Sequence, residues 1–190
     1  IEYSSEKVRR FKEKNPTLSN VIVGDIAHMP YPDQSFDCVI LNEVLEHVPD
    51  DLGALQEINR VLKGEGVLIL FSPNRVYPFE SHGVYLLGSG KRLPSYVSFI
   101  PYIPISVGKV IFRYWARNYF PNELRKLAEK SGLTIQKHFY ITQTFEGIGG
   151  NDLLRPLRAF LRVIFSVIES FPFVRIPFCV SQVIVASKPK

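Results

Sequence analysis

Three short, almost unbroken apolar runs constrain this chain most: NVIVGD at residues 20–25, FDCVILN at 36–42 and GVLILFSPN at 66–74. Each has strand length, is rich in Val, Ile and Leu, and ends at a turn-forming residue. A strand with one wet face alternates apolar and polar side chains, whereas a strand covered on both faces does not. Between the second and third runs lies DDLGALQEINRVLKGEG. An Asp cap, an apolar stripe at Leu55, Ile58 and Leu62, and Gly64 as a stop predict a helix there. Buried strands separated by helices predict a mostly parallel, doubly wound α/β sheet with helices on both faces.

The flanking segments fit that plan. Ser4 or Ser5 can cap a helix carrying Val8 and Phe11, stopped by Asn15-Pro16. PNELRKLAEKSGL predicts a helix with Pro near its start and Gly132 at its end. TIQKHFYITQTF reads as a half-exposed strand, and FCVSQVIVAS as the last strand. Residues 153–171 carry Leu153, Leu154, Leu157, Phe160, Leu161, Ile164, Phe165, Ile168 and Phe171 at helical spacing, with Arg155, Arg158, Arg162 and Ser166 opposite. Such a stripe packs on a sheet or lies on a membrane surface. Residues 75–118 have no clear period and are dense in Tyr, Phe, Pro and Gly. A segment this long inside a compact domain reads as a functional cover or lid. The 190 residues suffice for a single domain with a sizeable core. No run is long and apolar enough to span a bilayer. Cys38 and Cys179 lie in apolar runs and are expected to be buried, reduced thiols, which suits a cytoplasmic protein.

The net charge of +5 is unevenly distributed. Residues 1–74 hold 7 Lys/Arg against 12 Asp/Glu, while residues 75–118 hold 6 against 1 and residues 151–190 hold 6 against 2. The positive segments are also the aromatic ones. This suits an anionic or membrane-surface partner better than a nucleic acid, which favours a more uniformly basic protein. A solvated basic surface is the plain alternative.

The succession VIVGDIAHMPYPDQSFDCVILNEVLEHVPD and then ALQEINRVLKGEGVLILFSPN resembles the class I S-adenosylmethionine-dependent methyltransferases, in their small-molecule branch. The resemblance runs over nearly the whole chain. It implies a Rossmann-like sheet that is mostly parallel, with an antiparallel C-terminal strand, and a lid insertion at 75–118. It implies S-adenosylmethionine as cofactor. Glu2 stands where the ribose-binding acid belongs, Asp25 (after Gly24) where the adenine amino group is received, and Ile26 where a side chain packs on the ring. Backbone around Leu41 and Asn42 would face the methionine part. The family's glycine-rich loop precedes the ribose acid, and GSG (88–90) and GIGG (147–150) lack the strand-to-helix context that would make them substitutes. The 190 residues as they stand are therefore expected to bind cofactor weakly. This motivates an alternative function, a non-catalytic methyltransferase-like interaction module.

Glu43, Glu46 and His47 in LNEVLEHVPDD admit three readings. They are the polar start of a helix, where the macrodipole favours carboxylates. Or they form a divalent metal site: positions i, i+3 and i+4 share a face if the stretch is helical, and His82 would add a fourth ligand. Some family members that methylate ubiquinone precursors or small-RNA ends carry a Glu-x-x-Glu-His with a later His. Or His47 or His82 is a general base without metal. His28 and His138 are expected to be structural or exposed. Tyr77, Phe79, Tyr85, Tyr96, Phe99, Tyr102, Phe112, Tyr114 and Trp115 would line an apolar acceptor pocket or form a satellite core. The expected reaction is methylation, most simply at oxygen, of a small or lipid-like acceptor such as a quinone precursor, with peripheral membrane contact.

Overall fold

The computed structural model describes all residues except 19, 80–81, 94–98, 115, 143–158, 161–162, 165–166 and 168–175. In chain order the elements are α1 (Ser5–Lys14), β1 (Phe36–Asn42), a 3-10 turn (Leu45–His47), α2 (Asp51–Val61) and β2 (Leu62–Pro73). There follow β3 (Val84–Leu86), α3 (Ile105–Gly108), β4 (Phe112–Tyr114), α4 (Pro121–Lys130), β5 (Thr134–Thr142) and β6 (Cys179–Ser187). Strands β1, β2, β6 and β5 form a four-stranded sheet in that order, and β3 pairs with β4. Gln34 N donates to Arg60 O and Ser35 N to Val61 O, so β1 and β2 advance together. Glu65 N donates to Lys188 O and Asn74 N to Val180 O, so β6 runs antiparallel to β2. The mixed α/β sheet expected from the apolar runs is present, and its last strand is the antiparallel one.

The local signals act where they were read. Ser4 caps α1, its side chain accepting from Lys7 N at 3.3 Å, and Asp50 caps α2, accepting from Gly53 N at 2.9 Å. Gly132 ends α4 in the left-handed region at φ +90°. Three expectations need correction. Gly64 does not stop α2: the helix ends at Val61, Leu62 is already extended, and the tight turn lies at Glu65, φ +65°. NVIVGD is not a full buried strand. It forms isolated bridges in place of a strand, Glu2↔Val23 in parallel and Asp25↔His28 in antiparallel, and Val23 is 49% exposed. Cys38 is exposed, unlike Cys179. It sits on β1, an edge strand of the four-stranded sheet, whose Ile40 is also exposed among the described residues. The expected helix at 153–171 lies largely outside the described residues. Within it residues 159, 160, 163, 164 and 167 are helical, and Phe160, Val163, Ile164 and Val167 are exposed rather than packed.

The chain divides into two compact units. The first comprises 1–70, 125–137 and 184–190. Its core is built from Leu45, Leu55, Ile58, Leu62, Leu68 and Leu70 with Ala128 and Ile184, all fully buried. Lys188 Nζ reaches back to Leu62 O at 2.9 Å. The second unit comprises 71–124 and 138–183. Its buried polar centre is Asn74, whose Nδ2 donates to Ile176 O at 2.8 Å and Cys179 O at 2.9 Å, and Gln182, whose Nε2 donates to Tyr119 O at 2.8 Å. Arg75 donates to Pro101 O at 2.6 Å and Ile103 O at 3.0 Å and lies over the Phe120 ring, 4.8 Å from its centroid. Within the aperiodic segment Arg75 thus ties the chain to main-chain acceptors 26 and 28 residues on, a contact that leaves no periodicity in the sequence.

Candidate functional site

The first unit gathers a site where its short parallel pairing ends. Glu2 N donates to Ile22 O at 3.0 Å and Gly24 N to Glu2 O at 3.1 Å. This brings Ile1 so close that a Cβ on residue 24 would meet Ile1 Cδ1 at 2.5 Å and displace the tip of that side chain. Asp25 follows. Its Oδ1 accepts from Ala27 N at 2.9 Å, an Asx-type turn that orients the carboxylate. The loop beyond is tied down from α2. Glu57 Oε1 accepts from Met29 N at 2.8 Å, and Arg60 binds Glu57, Asp33 and the carbonyls of Met29 and Tyr31. The Arg60 guanidinium holds the Glu57 carboxyl below its ordinary pKa.

The second wall comes from the end of β1. Glu43 adopts φ +50°, a left-handed conformation that is uncommon for a non-glycine residue and concentrates at functional loops. It turns the chain into Leu45–His47. A cavity of about 500 Å³ lies between these walls. Gly24, Asp25, Ile26, Leu41 and His47 line it, together with Ile1, Tyr3, Ile40, Val44, Val48 and Pro49. Five residues chosen from the sequence therefore meet at one cavity. Glu2, Asn42, Glu43 and Glu46 are not among its lining. The Glu2 carboxylate accepts from Ser4 N at 3.0 Å and lies 3.8 Å from Lys7 Nζ. The apolar lining residues escaped the sequence reading. Tyr3 and Ile1 owe their place to the pairing with Val23, and Val44 to the left-handed turn before it. Neither leaves a local sequence mark.

The acidic cluster does not form the shared helical face expected of it. Residues 45–47 are a single 3-10 turn, and Glu43 stands outside it. Glu46 is buried at 4% exposure, whereas Glu43 and His47 face solvent. Burial pushes the Glu46 carboxyl up to about 7, and the nearby Glu43 charge adds to the rise. Glu46 and His47 still bring ligand atoms within 4.8 Å of each other. His82 belongs to the second unit and is half-buried there. His28 is exposed, and His138 on β5 has its Nε2 3.0 Å from Oε1 of Gln182 on β6. Of the aromatics, Tyr77 meets Phe79, Phe99 meets Tyr102 and Phe112 meets Tyr114 as local pairs, while Tyr96 and Trp115 lie outside the described residues.

An aspartate, an adjacent isoleucine and a neighbouring glycine stand together in the lining of this cavity. It offers one acceptor for an exocyclic amine and apolar surface for a flat ring. Residues 1–70 match a family described as a methyltransferase domain. Over 71 residues the chain is 41% identical to the demethylmenaquinone methyltransferase of Staphylococcus aureus, a stretch that is 36% of this chain and 30% of that protein. The chain thus spans less than a third of the length of these curated relatives. Among solved structures, a methyltransferase dependent on S-adenosylmethionine from Mesorhizobium loti superposes with a TM-score of 0.59 at 14% identity, covering 98% of this chain and 78% of that one. One from Methanosarcina mazei gives 0.56 at 15% identity, covering 100% and 80%. The [4+2]-cyclase SpnF gives 0.53 at 16% identity, covering 98% and 64%. Over nearly its whole length the chain has the fold of the S-adenosylmethionine-dependent methyltransferases, and its first 70 residues match a methyltransferase domain.

Proposed function

We propose that the protein is a methyltransferase that uses S-adenosylmethionine and acts on a small, lipophilic acceptor. The observation that carries this reading is the convergence of Gly24, Asp25, Ile26, Leu41 and His47 on one cavity. The fold alone does not carry it, since folds host unrelated chemistries. When bound, the cofactor supplies an electrophilic methyl group on a sulfonium. Asp25 would accept the adenine amino hydrogens, and Ile26 would pack on the ring. Val44, Val48 and Pro49 exclude water from the cavity, where desolvation and alignment of the acceptor do most of the catalytic work. His47 takes the proton from an acceptor hydroxyl, a task suited to an imidazole near neutral pH.

The relative from Staphylococcus aureus, named for demethylmenaquinone, supports an acceptor of quinone type. Such an acceptor dwells in a bilayer, so the protein would work at a membrane surface. No described helix is long and apolar enough to cross one. A divalent cation held by Glu46 and His47 is a second question. Undiminished turnover after chelation, in native protein and in His82→Ala alike, removes it.

The test of the main reading is calorimetry with S-adenosylhomocysteine on the encoded polypeptide, including any residues its gene places before Ile1. Binding that is lost in Asp25→Ala is expected. No binding by that polypeptide would sink the enzyme reading and leave an interaction module. With binding established, methyl transfer to a demethylated naphthoquinone or phenolic acceptor should fall at least about 100-fold in His47→Ala. An unchanged rate would remove His47 from catalysis.

A further inference from the structure

We infer that the β3–β4 ribbon of the second unit docks on an anionic phospholipid bilayer, with an apolar tip entering the interface and a ring of cations behind it. Val84 pairs with Tyr114, Tyr85 with Arg113 and Leu86 with Phe112. Leu87 N to Ile111 O, at 2.9 Å, continues the same register beyond the strands. On the other side of β3, Leu86 N donates to Lys91 O at 2.9 Å, Leu93 N donates to Val84 O at 2.8 Å, and Tyr85 bridges Arg92. Residues directly opposite one another, and those two apart along a strand, share a face. Leu87 and Ile111 therefore occupy one level at the end of the ribbon, and Tyr85, Arg92 and Arg113 the level behind it.

That order matches the depth profile of a membrane interface. Leu87 is 51% exposed, Ile111 54% and the adjoining Val110 74%. Such a cluster has no reason to stay in water unless something covers it. A tyrosine at the next level suits the headgroup region, where an amphipathic ring is at home. Lys91, Arg92, Lys109 and Arg113 are all exposed around it. A cavity of about 430 Å³ opens between Tyr85, Leu87, Gly88 and Arg113, room for a phosphate group beside the guanidinium.

Charge selects the occupant. From residue 81 to 122 the sequence holds five Lys/Arg and no Asp or Glu. A second copy docked face to face would oppose these cations to themselves, whereas an anionic lipid surface neutralises them. The same unit exposes Phe160, Val163, Ile164 and Val167 at helical spacing, a second apolar stripe of the kind that lies in an interface. The inference rests on the reading of a membrane-borne acceptor for its purpose. It is measured without acceptor or cofactor.

The experiment is co-sedimentation of the full chain with vesicles of phosphatidylcholine, alone or mixed with phosphatidylglycerol. Binding to the mixed vesicles should be at least about tenfold tighter and should weaken as salt is raised. Val110→Asp and the double variant Lys91→Glu/Lys109→Glu should each lower it at least about tenfold, with unchanged circular dichroism. Both changes are at exposed positions, so folding should survive. Equal pelleting with both vesicle types, or wild-type binding by Val110→Asp, would overturn the inference. So would a concentration-dependent dimer that Val110→Asp abolishes, which would assign the face to a second copy. Calorimetry with S-adenosylhomocysteine in parallel separates this outcome from failure of the methyltransferase reading, because neither measurement depends on the other.

Discussion

Asp25 and Glu46 are carboxylates in the same unit with opposite surroundings, and their environments give them different work. Asp25 is exposed and oriented by Ala27 N. Its other oxygen faces solvent as an acceptor. Asp25→Ala removes a charged acceptor while leaving the apolar lining, so affinity for S-adenosylhomocysteine should fall about tenfold or more. Asp25→Asn keeps one acceptor oxygen and should lose less, a ranking that isothermal calorimetry reads directly. Glu46 is buried, and its pKa is raised from 4.5 to about 7. The folded state therefore holds a proton that the unfolded state releases between those values. Stability is greatest below the window, declines as pH rises through it, and is level above it, with a total change of about 3 kcal/mol. Glu46→Gln should flatten the urea-unfolding profile between pH 4.5 and 7. An unchanged slope would show that another group titrates there.

At the level of elements, the clamp from α2 decides whether the Asp25 loop is ordered before ligand arrives. Arg60 Nη1 lies 2.6 Å from Asp33 Oδ1, and Nη2 lies 2.7 Å from Glu57 Oε1 and 2.8 Å from Tyr31 O. Arg60→Met keeps the stem and removes the fork. It should lower Tm by several degrees and speed hydrogen exchange at residues 29–35, while α2 keeps its protection. S-adenosylhomocysteine binding should weaken a few-fold, because ordering the loop is then charged to the binding step. Exchange that accelerates equally in α4 would instead mark Arg60 as a global stabiliser. The helix that carries the clamp was legible in the sequence, since the Asp50 cap and the Leu55, Ile58 and Leu62 stripe are local signals. The clamp itself was not, because its partners other than Glu57 lie 27 to 31 residues away and any surface arginine would look the same. The same holds for Asn74 and Gln182, whose bonds join residues more than 60 positions apart. Gly64 misled because a glycine at a helix end is a strong local stop. Here Leu62 turns the chain directly from α2 into β2, with the left-handed residue falling at Glu65 instead.

Across the whole molecule, the apolar runs and their order were enough to find the sheet, yet not the coverage of its edge. Runs such as FDCVILN read as buried on both faces, whereas Ile40 is 65% exposed and part of its face forms the cavity wall. Apolar surface left open beside Asp25 is surface that a nucleoside can cover, so ligand and fold stability are coupled. A ligand that binds only the folded state adds about 2.7 kcal/mol at a hundredfold excess over Kd. For a chain of this size that raises Tm by about 5–10 °C. The gain should be spatially uneven. Hydrogen exchange with saturating S-adenosylhomocysteine should slow at residues 1–3, 24–27 and 40–49, which bound the cavity. Residues 84–92, on the ribbon of the second unit, should exchange as they do without ligand. Uniform slowing along the chain would mean that binding acts only through global stability, and the cavity would then have no special claim to the ligand. Slowing confined to 84–92 would move the site to the ribbon and overturn the assignment of Asp25 and Ile26 together.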